Sequence, residues 1–377
     1  MRVALLAPLF ESVPPRLYGG TERVVDQLCR GLKDAGHEVT LFASGDSTVD
    51  VPTIRVIDQA LRLRNPPPND PNICHFQMLA DVLRHAKEFD VIHNHHDYYM
   101  LPLSELTEVP VLTTVHGRLD LPEVGPVYRA FPHSSFVSIS DSQRSPLPDL
   151  NWVRTIYHGL QLQNFSYHPD HGQYLAFLGR ISREKHPEWA IRIAKEAGVS
   201  LKIAAKIEGR ASQDYFDEIL APEIDGNFIQ YVGEIHEEQK SDFLGNARAL
   251  LFPIDWPEPF GLVMIEALAC GTPVLARPCG SVPEILADGI TGFLSNDLSE
   301  LASRVHDIPS ISRKRCREWA EQRFSVDRMT EEYIHVYRYL TGLSRRPPSK
   351  IERRRTGTRH HRRNLLHPFR RAAHGNS

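Results

Sequence analysis

Two glutamates, Glu258 and Glu266, flank seven intervening residues in the stretch Glu258-Pro259-Phe260-Gly261-Leu262-Val263-Met264-Ile265-Glu266. Glu266 is the one charged residue of an otherwise apolar helical run that continues to Ala269. Such a helix reads as buried, and an isolated carboxylate in an apolar interior is costly unless something pairs with it or hydrogen-bonds to it. A ligand with hydroxyl groups meets that need. With Glu258 in the loop before the helix and Glu266 in its early turns, both carboxylates face one cleft at the helix N-terminus. Free N–H groups and the helix dipole make the same place attractive to anions.

Cations occur at a comparable position. The segment Gly179-Arg180-Ile181-Ser182-Arg183-Glu184-Lys185 follows an apolar strand and precedes Pro187, which suits the first turn of a helix. Arg180 and Lys185 at the carboxyl end of a strand match what a diphosphate requires, because open α/β sheets bind ligands at that edge. Taken alone, a solvated charged loop explains them as well. Tyr18-Gly19-Gly20-Thr21-Glu22 adds a glycine pair leading into a helix, suited to close approach by phosphate or sugar or simply to a tight turn. The fingerprint G-x-G-x-x-G is absent here, which removes the main support for a nicotinamide dehydrogenase. In Cys279-Gly280-Ser281-Val282-Pro283-Glu284, Ser281 and Glu284 have the spacing of a capping box, and Gly280 leaves room for backbone amides to approach a phosphate.

In Val111-Leu112-Thr113-Thr114-Val115-His116-Gly117 a strand ends on a histidine that can donate to a sugar hydroxyl or to a phosphate, or serve structure alone. His93, His95, His96 and Asp97 form the set a zinc hydrolase would use. Against that reading, adjacent His95 and His96 point to opposite faces of a strand, and the i, i+4 spacing of a helical zinc site is missing. No metal is therefore expected. Asp97, Tyr98, Arg118 and Asp120 are assigned instead to the acceptor side of a cleft.

These groups need a scaffold, and apolar strand-like runs alternating with helical patterns supply one in both halves of the chain. The pattern predicts an α/β fold with parallel sheets. Strands are expected at 3–7, 38–43, 91–93, 111–115, 136–139 and 153–157, then at 174–178, 201–205, 228–231, 249–252, 274–276 and 292–294. After the first strand, Thr21 is the expected cap of a helix whose Val25, Leu28 and Leu32 form one apolar stripe, stopped by Gly36. The stretch from Arg62 to Asn72 reads as a loop. The stretch 161–172 reads as the linker, and 326–340 as the last helix of the fold. The resulting division is 1–165, a first domain; 166–325, a second; 326–343, a last helix; and 344–377, a tail too polar to build a core.

With 377 residues, 41% of them hydrophobic and 24% charged, the chain is long enough for about two cores. The net charge of −3 hides an asymmetry, since residues 344–377 hold eleven Lys and Arg against one acid, leaving −13 for the rest. Such a tail could recruit a non-catalytic binding protein to nucleic acid or anionic lipid, but with Phe369 as its one aromatic it favours non-specific electrostatic contact over base stacking. Five cysteines without a C-x-x-C pair fit reduced thiols. With neither a signal-peptide core nor an apolar run approaching a membrane span, the expected place is the cytoplasm, with the tail offering contact to an anionic membrane face.

The glycine pair Gly19-Gly20, His116-Gly117, the turn Tyr157-His158-Gly159, the Arg180/Lys185 pair and the E-x7-E motif of Glu258 and Glu266 together resemble the family-four retaining glycosyltransferases of GT-B fold, the group that includes glycogen synthase. The resemblance reaches to about Leu340. It implies two Rossmann-like domains facing across a cleft, with a final helix crossing back to the first. It implies a nucleotide-diphosphate sugar as donor, an acceptor hydroxyl, a hexosyl transfer with retention, and no cofactor or metal. By the same resemblance Arg180 and Lys185 neutralise the diphosphate, and Glu266 holds the ribose hydroxyls. Glu258, with Phe260, Gly261 and Leu262 beside it, holds the transferred sugar. Gly19 and Gly20 let the first-domain loop close over the phosphates, and His116 aligns the sugar. Two departures stand out: His186 where many relatives have glycine, and Ala204-Ala205-Lys206-Ile207-Glu208 where they often have a glycine-rich turn.

Overall fold

The computed structural model describes residues 1–17 and 19–344, and the basic tail assigned above lies, beyond Ser344, outside the described residues. The first half forms seven parallel strands: β1 (Arg2–Leu6), β2 (Glu38–Ser44), β3 (Thr53–Ile57), β4 (Val91–Asn94), β5 (Val111–Thr114), β6 (Ser135–Ser138) and β7 (Trp152–Thr155), in the order β3-β2-β1-β4-β5-β6-β7. The second half forms six: β8 (Tyr174–Arg180), β9 (Leu201–Lys206), β10 (Ile229–Gly233), β11 (Ala247–Phe252), β12 (Val274–Ala276) and β13 (Gly292–Leu294), in the order β10-β9-β8-β11-β12-β13. The α/β expectation holds. Val3–Leu6 of β1 and all of β12 are buried because helices cover both faces, and this is why they read as unbroken apolar runs, whereas β4 and β5 are equally buried but carry His93, Asn94, Thr113 and Thr114 at their carboxyl ends.

In each sheet the strand order reverses at the first strand, between β1 and β4 and between β8 and β11. Crevices open at such reversals outside the carboxyl ends of the strands. The register of β8 with β9 brings Arg180 beside Lys206 at that edge, and the register of β1 with β4 brings Leu6 beside Asn94.

Helix α1 (Gly20–Asp34) follows β1 with Val24, Val25, Leu28 and Leu32 buried. Thr21 does not cap it: Gly19 holds the N-cap position without a side-chain bond, and Thr21 lies inside the first turn. Gly36 has the left-handed φ of 80° that ends such helices. The final helix, α5 (Val326–Leu340), is capped by the Ser325 side chain accepting from the Arg328 amide. Its Met329, Tyr333, Val336 and Tyr337 enter the core of the first sheet, so the chain crosses back. The crossing is tight: a Cβ on Gly159 would stand 2.4 Å from the Ser325 carbonyl oxygen.

Several elements went unforeseen, among them the helices Glu237–Gly245 and Arg313–Arg323. β3 is an edge strand whose Thr53-Ile54-Arg55 start is only partly buried, and the helix Asn72–His85 begins where a loop was expected to end. All five cysteines are unpaired. Among the described residues no helix is long and apolar enough to cross a membrane.

Candidate active site

Between the two sheets lies a cleft of about 640 Å³. Helices α1, α3 (Glu237–Gly245) and α4 (Leu262–Ala269) contribute to its lining, and α2 (Pro187–Ala197) begins two residues past Lys185, which also lines it. Gly19, Gly20, Asp97, Tyr98, His116, Arg118, Arg180, Lys185, Glu258, Phe260, Gly261, Leu262 and Glu266 all line it. Asp120 does not. It forms a two-pronged bond with Arg118, at 2.7 and 2.6 Å, and meets the cleft only through that partner.

The carboxylates are placed by backbone. Gly261 takes the N-cap of α4 with φ of 81°, turning the chain so that Glu258 stays outside the helix and Glu266, 2% exposed, enters it. Glu258 is fastened from behind by the next loop, where the Ser281 amide donates to its carbonyl at 3.0 Å. A Cβ on Gly280 would stand 2.4 Å from the Glu258 nitrogen. Gly280 therefore serves close packing against Glu258, which corrects the expectation that it clears a path for phosphate.

Each carboxylate has a lysine. The Lys185 ammonium bonds the Glu258 carboxylate directly and sits over the rings of Phe252 and Trp256. The Lys240 ammonium is 2.8 Å from Glu266 and 2.9 Å from Glu237, which pairs in turn with Arg23 of α1. The charge inside the apolar helix thus has the partner its burial demands. Lys240 had no signal in the sequence, since nothing in its spacing ties it to Glu266. At the other end of the cleft Arg62 lies 3.0 Å from Glu208 and 3.4 Å from Glu11, and Lys206 lies 3.8 Å from Glu11. Lys206 is thus partnered across the domains and is not a freely solvated side chain. His186 holds a left-handed φ of 48° at the start of α2. Its ring stacks on Trp189 at 3.6 Å and bonds Glu188 and Asp255, which explains how a non-glycine residue is held there.

The Ser281/Glu284 capping box does not form. Ser281 donates its hydroxyl to the Phe260 carbonyl at 2.8 Å. Glu284 reaches the other domain, accepting from the amides of Asp141 and Ser142 at 2.8 and 2.7 Å and from the Tyr157 hydroxyl at 3.0 Å.

On the first-domain wall, Asp97 accepts from the His116 amide at 3.1 Å. Burial raises its carboxyl to about 6, against the lowering effect of the His116 and Gly117 amides. The side chain assigned to an acceptor holds the backbone of His116. Burial also lowers His116 to about 3, so the ring is neutral at pH 7. Tyr98, 42% exposed, stacks on Tyr99. Glu22, missed in the sequence, is buried at the start of α1 and pushed up to about 7 by that burial.

The zinc arrangement does not assemble. His93 bonds Tyr337 and Thr114, His95 bonds His116 and His93, and His96 bonds His75. Among the described residues no group of three or more His, Cys, Asp or Glu side chains is disposed to hold a metal ion.

Comparison with known proteins gives the family and the fold. The family model for glycosyl transferases group 1 matches residues 162–323, and that for glycosyltransferase family 4 matches residues 18–178. The chain is 26% identical over 322 residues to a phosphatidyl-myo-inositol mannosyltransferase of Mycolicibacterium smegmatis, covering 78% of this chain and 80% of that one. Sucrose-phosphate synthase from Thermosynechococcus elongatus superposes with a TM-score of 0.77 at 21% identity, over 91% of this chain and 100% of that one. The Anabaena protein HepE, in complex with UDP and glucose, superposes with a TM-score of 0.69 at 18% identity, over 89% and 98% of the two chains.

Proposed function

Because this chain belongs to the group 1 and family 4 glycosyltransferases and has their GT-B fold, we propose that it moves a hexosyl group from a nucleotide-diphosphate sugar to an acceptor hydroxyl, with retention of configuration and without a metal ion. What carries the reading is the pairing of Lys185 with Glu258 and of Lys240 with Glu266 inside one cleft, with Arg180 on the same wall. The neighbour complexed with UDP and glucose supports the donor class.

In this reading Arg180 and Lys185 stabilise the diphosphate as charge builds on it, a role that fixed cations fill well inside a cleft. Glu266 takes the ribose hydroxyls, and Glu258 the hydroxyls of the sugar. The bond from the anomeric carbon to the phosphate oxygen breaks while the acceptor oxygen bonds the same face of that carbon. The acceptor proton passes to the departing phosphate, so no carboxylate is alkylated.

A thermal-shift panel of nucleotide sugars, with chelator present, tests the donor site. A ligand that binds the native state alone raises the melting temperature by mass action. One nucleotide sugar should stabilise the wild type and neither Arg180→Ala nor Glu266→Ala. No shift with any donor would overturn the reading.

A further inference from the structure

Four charged side chains run in alternating sign from the first domain into the second. The Arg23 guanidinium of α1 reaches Oε2 of Glu237 at the start of α3. The same Oε2 lies 2.9 Å from the Lys240 ammonium, which donates at 2.8 Å to Oε1 of Glu266 on α4. Arg23 is also tied to its own domain, because Nη2 donates at 3.0 Å to the carbonyl of Leu17, two residues before Gly19. Leu17, Arg23, Lys240 and Glu266 all line the cleft. The two domains touch here: Leu262, at the start of α4, packs against the first-domain core, and a Cβ on Gly20 would stand 3.8 Å from its Cδ1.

Arg23 and Glu266, the two ends of this line, are both buried. A buried charge stripped of its partner is costly, so the place of each member follows from the next. Lys240 stands almost midway between its two carboxylates, and Arg23 draws Glu237 the other way. Without Arg23, Glu237 turns its whole charge on Lys240, and Glu266 is left a buried anion with a weakened cation. Without Glu237, Lys240 falls wholly to Glu266 and crowds the oxygens that hydroxyls would reach. A pair of hydroxyls needs a carboxylate that is neutralised but not filled, since each must find a lone pair. Arginine suits the joint, because its fork offers separate N–H groups to the Leu17 carbonyl and to Glu237, where lysine has a single ammonium.

We propose that Arg23 of the first domain is a positioning residue for nucleotide binding in the second: acting through Glu237, it holds Lys240 midway and so keeps Glu266 ready for the ribose hydroxyls. The contact of Glu266 with ribose rests on the donor reading above. Because Arg23 also grips Leu17, the loop that carries Gly19 and the carboxylate that takes the ribose are set together, although they belong to different domains.

The test is calorimetric titration of UDP, GDP and ADP, each beside its 2′,3′-dideoxy form, into the full chain as wild type, Arg23→Ala, Lys240→Ala and the double variant. For the nucleotide that binds, Arg23→Ala should raise Kd about tenfold or more, the scale of one hydrogen bond to a charged group. The dideoxy form brings no hydroxyls to Glu266 and should be affected far less. In the Lys240→Ala background Arg23→Ala should lose most of its effect, because the line is already cut, whereas independent sites add. An unmoved Kd in a folded Arg23→Ala, an equal loss for ribose and dideoxyribose forms, or additive losses overturn the proposal. Where Arg23→Ala does not fold, Glu237→Gln cuts the line at its most exposed member, and the same comparison of ribose with dideoxyribose decides. A wild type that binds none of the three nucleotides overturns the donor reading and this role of Arg23 with it, whereas binding that Arg23→Ala leaves intact overturns the role of Arg23 alone.

Discussion

The proposed reaction turns on Glu258. This residue is 9% exposed, bonded to Lys185 and held from behind by the Gly280–Ser281 loop. Glu258→Gln keeps the shape and removes the charge. Under the same-face mechanism it should lower kcat by about a hundredfold or more, the scale of losing one electrostatic contact in a catalytic site. Donor binding, read by thermal shift, should persist. A sugar trapped covalently on Glu258 in mass spectrometry would sink that mechanism. The E-x7-E spacing, the Arg180/Lys185 pair and His116 were legible in the sequence because each is fixed by a local element. Lys240, Glu237 and Glu22 were not, since their roles exist only once α1, α3 and α4 are packed together.

At the scale of elements, the short helix Val282–Ile285 clasps the two domains through Glu284. Hydrogen bonds to a charged group contribute more than neutral ones, and Glu284 makes three. Glu284→Ala should cost about 2 kcal/mol of stability, measured by urea unfolding. A loss too small to resolve would mean that water replaces the clasp without penalty. The capping-box spacing misled for an identifiable reason: S-x-x-E records that a glutamate stands near a helix start, but not that a second helix start, at Ser142, competes for the same carboxylate. The strands at the centres of the sheets were legible because burial on both faces demands consecutive apolar residues, as in Val3–Leu6 and Ala249–Phe252. The edge strand β3 was not, because an edge position relaxes that demand.

For the whole molecule, the buried histidines set the response to acid. His93, His95, His96, His116 and His158 are all lowered by burial, His96 and His116 to about 3. Between about 6.5 and 3 the unfolded chain binds protons that the folded chain refuses, so stability falls as pH falls, by about 1.4 kcal/mol per unit for each such group. Glu22 and Asp97, raised by burial to about 7 and about 6, act in the opposite direction, because the folded state binds their protons first. His37, His75 and His171 are lowered by burial as well and Glu11 is raised by it, so the histidines outnumber the carboxyls and leave a net loss. The melting temperature should drop steeply from pH 6.5 to pH 5, and a flat profile there would contradict the buried neutral cluster.

The sequence by itself determined the α/β class, twelve of the thirteen strands, the final helix and the motif residues of the cleft, because periodicity, strand-end glycines and charge spacing are local properties that survive in one dimension. Tertiary structure alone decided which charges meet. It joined Lys240 to Glu266 across α3 and α4, and Arg62 and Glu11 to Glu208 and Lys206 across the domains. It also turned an apparent metal cluster into a hydrogen-bonded line ending on Tyr337, 244 positions beyond His93. Partners that far apart in the chain carry no shared spacing. Only packing makes them neighbours, and burial then fixes their protons and charges.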